Sequence, residues 1–116
     1  MITIDYLRKV LSKERNTMKL SRITDKFYQE ASNLYNRMES DELKANHIKR
    51  SVFDILNIRL KKIIAYAALN ELKPTNMTTP EKELYNRLIE AKLKHSEAIK
   101  RKIEKYLNTQ SNLLSQ

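Results

Sequence analysis

Residues 41–72 read DELKANHIKRSVFDILNIRLKKIIAYAALNEL, and this stretch decides the fold. Ser40 can cap a helix here, with Asp41 and Glu42 in the first turn. The pattern then runs uninterrupted to Leu72 and stops before Pro74, which disfavours the helical conformation in the residue preceding it. A helix of this length spans about 45 Å at 1.5 Å per residue. Its first half is polar. Its second half carries Val52, Phe53, Ile55, Leu56, Ile58, Leu60, Ile63, Ile64, Ala67, Ala68 and Leu69. Those residues cover well over half the circumference, so the helix must be central or covered by another subunit. The run Ala65-Tyr66-Ala67-Ala68 is small enough to let a neighbour approach closely.

Two shorter helices precede it. The first is expected over Thr3 to Glu14, where Ile4, Leu7, Val10 and Leu11 form a narrow apolar stripe and Asn16-Thr17 ends the pattern. Met18 to Ile23 reads as extended, with Met18, Leu20 and Ile23 able to pack. The second helix is expected from Thr24 as N-cap with Asp25 in the first turn, and Phe27, Ala31, Leu34, Tyr35 and Met38 make its stripe. Lys73 to Thr79 is the one clear loop. Thr79-Pro80-Glu81 then reads as a helix start: Thr as cap, Pro at the first position, an acid in the first turn. This fourth helix is expected to reach Leu107, with a stripe of Leu84, Leu88, Ala91, His95, Ile99, Ile103 and Tyr106. Glu83–Arg87, Glu90–Lys94 and Glu97–Arg101 are i, i+4 pairs in the favourable order. Residues 108–116 carry no charge and no period, and read as a linker or disordered tail after a domain over 1–107. The fold class is all-α: a bundle-like domain of four to five helices, one of them long and central.

Composition narrows the chemistry. The 116 residues have room for one domain. Glycine is absent, which excludes the Rossmann fingerprint, the Walker A loop and the kinase Gly-rich loop, since each needs close backbone approach to a phosphate. Cysteine is absent, which excludes disulfides, thiolate metal sites and Cys nucleophiles. The N-terminus lacks the basic-then-apolar order of a signal peptide. The longest apolar run, Ile63 to Leu69, falls far short of the ~20 residues needed to span a bilayer. A cytoplasmic location is expected. His47 and His95 sit on different helices, no His-Glu-x-x-His pattern exists, and His95 on its apolar stripe fits packing or an interface better than catalysis. No enzyme, cofactor or metal site is expected.

The formal net charge of +9 favours polyanionic partners. The basic clusters are Lys44-x-x-His47-x-Lys49-Arg50, Lys61-Lys62, and Lys100-Arg101-Lys102 with Lys105. Candidate polyanion contacts are Lys94, Lys100, Arg101, Lys102 and Lys105, although Glu97 and Glu104 dilute them. Candidate subunit-interface residues are Ile63, Ile64, Ala67, Ala68, Leu88, His95, Ile99 and Ile103. Two functions follow from these features, an interaction scaffold and a stand-alone basic helical module that binds nucleic acid.

Four stretches taken in order carry a family resemblance: LRKVLSKERN at 7–16, ITDKFY at 23–28, RLKKI at 59–63 and MTTPEKELY at 77–85. Over about residues 4–107 the chain resembles an archaeal subunit of the GINS DNA-replication complex, of the type whose helical domain comes first. That resemblance implies a non-catalytic, replisome-associated scaffold. It implies a tetramer with itself and a sister GINS subunit, bridging the MCM helicase and a RecJ/Cdc45-like partner and activating the helicase. The family's β domain would follow near residue 110, and the resemblance does not reach it.

Overall fold

The computed structural model describes residues 2–69 and 74–114, with side chains to residue 110. Four helices follow one another: α1 (Ile4–Asn16), α2 (Phe27–Arg37), α3 (Glu42–Leu69) and α4 (Thr79–Leu114). α3 is the central element and packs against each of the others. The reason lies in its spacing. Ala45, Ile48, Ser51, Ile55, Arg59, Ile63 and Ala67 recur every three or four residues, and all are buried. The expected end of this helix at Leu72 lies outside the described residues.

The core has two parts. Towards the start of α3, Leu7 and Val10 of α1 meet Phe27, Ala31 and Leu34 of α2 over Ile48 and Ile55. Towards its end, Ile63 and Ala67 meet Leu20, Met77 and Tyr85. The intervening segment packs through Leu20 and Ile23, whereas Met18 is almost fully exposed rather than packed.

The helix ends differ from expectation in instructive ways. α1 is capped by Thr3, whose hydroxyl accepts the Tyr6 N–H at 3.1 Å. α2 starts at Phe27, and neither Thr24 nor Asp25 caps it. Asp25 instead accepts the backbone N–H of Thr79 at 2.8 Å and its hydroxyl at 2.5 Å, so its carboxylate serves a helix 54 residues away. Those two bonds hold its pKa below the usual carboxylate range. For α3 the cap is Asp41, accepting from Lys44 N at 3.2 Å, and not Ser40. α4 begins at the Thr79-Pro80 step, and its cap is one residue earlier. Thr78 and Glu81 bond reciprocally, Thr78 N–H to the Glu81 carboxylate at 2.8 Å and Glu81 N–H to the Thr78 hydroxyl at 3.4 Å.

α4 also runs on to Leu114, where a linker or disordered tail was expected after Leu107. Neither glycine nor proline interrupts Asn108–Leu114, and polar side chains bond back along the helix. Thr109 donates to Lys105 O at 3.0 Å, and Gln110 to the Tyr106 hydroxyl at 3.2 Å. With 36 residues α4 is about 54 Å long, so most of its second half projects past the bundle. The molecule measures 79 × 24 × 22 Å with a radius of gyration of 21.6 Å. A compact chain of this length would have a radius near 13 Å.

Candidate functional site

The projecting helix needs an anchor, and Arg59 supplies it. This side chain is 0% exposed, on the interior strip of α3. All five of its N–H donors are used. Nε and Nη2 grip both oxygens of Glu81 at 2.7 Å each, a two-pronged fork on the first turn of α4. Nη2 also donates to Asn76 O at 2.9 Å, and Nη1 to Ser21 O at 2.7 Å and Glu14 Oε1 at 3.1 Å. Glu14, itself buried at the end of α1, accepts further bonds from Ser21 N at 2.6 Å, the Ser21 hydroxyl, and Lys62 Nζ at 2.9 Å. Asn76 holds a left-handed backbone, φ 65°, and its side chain donates to Leu20 O at 3.2 Å. One guanidinium thus joins α1, the 17–26 segment, α3, the loop before α4, and α4 itself.

The electrostatics follow from that geometry. Burial alone would raise the Glu14 carboxyl. The Ser21 and Lys62 hydrogen bonds and the Arg59 charge outweigh it and hold the group below the usual range. Glu81 behaves alike: burial opposes ionisation, while the Arg59 fork and the Thr78 N–H prevail. Arg59 is raised in turn, because its bonds to Glu81 and the charges of both carboxylates exceed the cost of its burial. Tyr28 stands beside this cluster, and burial, then the Glu81 charge, push its hydroxyl up to about 12.

Anchored there, α4 packs on the end of α3 through Leu84, Tyr85 and Leu88. Lys92 closes the contact by donating to Ala68 O at 2.5 Å, satisfying a carbonyl that the end of α3 would otherwise leave open. Beyond Lys92 the same face of α4 continues uncovered. Ile99, Ile103 and Tyr106 follow it at helical spacing and are 43%, 51% and 63% exposed. Leu93 and Leu107 are also more than half exposed. At the base of this stripe, Ile64, Ala67, Ala68, Leu88 and Lys92 line a shallow groove between α3 and α4.

The eight expected interface residues therefore divide. Ile64, Ala68, Leu88, His95, Ile99 and Ile103 lie on the open groove and stripe. Ile63 is fully buried and faces inward against Leu20, Met77 and Tyr85, while Ala67, buried in the same cluster, also borders the groove. Of the expected polyanion contacts, Lys94, Lys100, Arg101, Lys102 and Lys105 are all exposed. Lys94 is paired with Glu90 at 3.0 Å, and Arg87 with Glu83 at 2.8 Å, so acids are interleaved along this face. His47 is on the surface and accepts from Arg8 Nε at 3.4 Å. His95 is exposed on α4. Among the described residues no group of three or more His, Cys, Asp or Glu is placed to hold a metal. No described helix is long and apolar enough to cross a membrane.

Sequence reasoning missed the Arg59 node. Its signal was present: Glu14 falls seven residues after Leu7 on the α1 stripe, and Arg59 falls four after Ile55 and four before Ile63 on the α3 strip. Charged residues on two apolar stripes point to a buried pair.

An elongated helical bundle with an ionic anchor and an uncovered apolar stripe belongs, as a class, to the protein-interaction modules. The family model of the GINS complex protein helical bundle domain, Sld5, matches residues 1–100. The chain belongs to this family, and is thus a subunit of the GINS DNA-replication complex, a structural component that assembles with other GINS subunits. No curated protein matches the chain at a significant level, and neither does any solved structure.

Proposed function

We propose that this chain is a non-enzymatic scaffold of an archaeal GINS tetramer, built with itself and a sister subunit. In that role it links the MCM helicase to a RecJ/Cdc45-like partner and activates the helicase, in the cytoplasm and at the nucleoid during replication. Residues 1–107 form the helical domain of this reading, and the groove and stripe of α4 form its subunit interface.

The observation that carries it is an excess of surface. The chain exposes 9040 Å². A compact monomer of its mass exposes about 6,600 Å², which leaves roughly 2,400 Å² more than one chain should show. Obligate interfaces bury about 2,000–5,000 Å² in total. Much of the excess is α4, whose apolar stripe has no cover within the chain. Folding alone supplies no reason to extend such a helix, whereas assembly does.

Light scattering at tens of micromolar, alone and with a sister GINS subunit, tests the proposal. A stable oligomer, alone or in the mixture, is the expected result. A monomer that ignores the sister subunit overturns it.

A further inference from the structure

A second surface lies on the side of α3 that α1 covers, away from the α3–α4 groove. Between α1 and α3 runs a cleft of about 520 Å³ lined by Arg8, Leu11, Ser12, Arg15, Asn16, His47 and Ser51. Only Leu11 among these is apolar. On α1, Arg8, Ser12 and Arg15 stand at i, i+4 and i+7, so they form a row about 10.5 Å long. Opposite them, Ser51 occupies a position on the buried strip of α3 where an apolar side chain would fit. It is 3% exposed and lines the cleft. Ser12 accepts the Asn16 amide at 3.2 Å, which leaves its own hydrogen to donate. Hydroxyl donors with two guanidinium groups suit the oxygens of a phosphate.

Both arginines have resting partners. Arg8 is 3.7 Å from Asp5 and donates to His47, and Arg15 is 3.3 Å from Asp54. Each of these side chains is substantially exposed, and ion pairs of this sort contribute little, so they yield readily to a stronger anion. A single free ion would engage one arginine and leave the other idle. A strand carries a phosphate at every nucleotide, so it can meet both arginines of the row at once. The net charge of +9 draws such a strand to the molecule.

We propose that the α1–α3 cleft is a contact site for the phosphate backbone of a nucleic-acid strand, with Arg8 and Arg15 as its charged ends and Ser12 and Ser51 as hydroxyl donors. Its contacts are to phosphate oxygens and not to base edges, so it binds without sequence preference. This site is independent of the α4 stripe, and its loss leaves oligomeric state unchanged.

The test compares two variants with equal charge loss, Arg8→Gln/Arg15→Gln and Lys100→Gln/Arg101→Gln. Binding of the full chain to fluorescein-labelled 20-mer DNA, single- and double-stranded, is followed by anisotropy over a salt series. The cleft variant should bind about tenfold more weakly, and its log–log salt slope should fall by about 1.4 on single strands or 1.8 on duplex. The α4 variant should lose less than about threefold. Ser51→Ala, which removes no charge, should weaken binding about threefold with the slope unchanged, because it deletes a hydrogen bond and no counterion release. Equal losses in the two double variants would mean diffuse attraction and overturn the proposal. So would displacement of DNA by polyglutamate at equal charge concentration, which would make the cleft a site for an acidic protein. Displacement by millimolar inorganic phosphate at fixed ionic strength would likewise overturn it, since a single ion would then suffice.

Discussion

Ile63 of α3 and Ile103 of α4 are the same side chain on two long helices, yet one is interior and the other faces water. Ile63 is 0% exposed and Ile103 51%. Side-chain type does not separate them. What separates them is the direction in which α4 leaves the bundle, and the Arg59 fork on Glu81 sets that direction. Half of α4 is therefore part of a folding unit, and the other half is a presented surface. A molecule divided in this way should respond to the same mutation in two different ways.

The strongest test of that division places the same change once in the core and once on the presented surface. Ile63→Asp puts a carboxylate in the core without a partner, a cost of several kcal/mol, and should leave the chain largely unfolded by circular dichroism. Ile99→Asp should change the stability of the separated subunit by less than about 0.5 kcal/mol in urea, since surface changes rarely do more. It should nevertheless abolish assembly in light scattering. If both variants unfold alike, the stripe around Ile99 is part of the folding unit and not a presented surface.

Next comes the anchor. Arg59→Ala leaves Glu14 and Glu81 buried without their counter-charge and should cost about 3–5 kcal/mol in urea denaturation. Lys62 still reaches Glu14, so Glu81 and the start of α4 should suffer most. Amide exchange should then open first over residues 76–85. Uniform loosening from α1 to α4 would mean that the node holds the whole bundle and not chiefly the helix junction.

Acid should act on the same node. Glu14 and Glu81 are both held below their ordinary value of 4.5 when folded. Their ionised forms therefore stabilise the fold. That contribution is complete above the unfolded value and is lost as pH falls through the depressed folded values. Stability should be level near neutrality and decline below about pH 4.5. Glu81→Gln should start lower at pH 7 and decline less, so that its curve and the wild-type curve converge in acid. Parallel curves would place the acid sensitivity elsewhere.

The smallest expected effect is at the cap. Thr78→Ala removes the hydroxyl facing Glu81 N–H, and should cost about 1 kcal/mol. Thr79→Ala removes a different bond, the one to Asp25. A larger loss from Thr78 than from Thr79 in thermal denaturation would show that the cap within α4 outweighs the contact across the chain.

Local pattern made much of this legible. The 3.6-residue period of apolar side chains placed all four helices, and the buried residues of α1 and α2 include most of the stripes read from the sequence. The caps were less legible. Thr24, Ser40 and Thr79 are each good caps by type, but α2 has no side-chain cap, and Asp41 and Thr78 cap α3 and α4. Cap choice depends on which of several adjacent oxygens reaches the free N–H groups, and that is a matter of fractions of an ångström in a particular backbone. The continuation of α4 through Asn108–Leu114 was hidden because an uncharged stretch without a period gives no helical signal, although nothing in it stops a helix.

The sequence by itself determined the class of fold, the centrality of α3, and an apolar stripe on each of the four helices. Those properties follow from periodicity and composition, which are local or additive. Only the tertiary structure decided that Ile63 and Ala67 serve the core while Ile99 and Ile103 serve a surface, and that Glu14, Arg59 and Glu81 meet. Contacts between residues 45 and 22 positions apart depend on how helices cross, and no local period encodes a crossing angle.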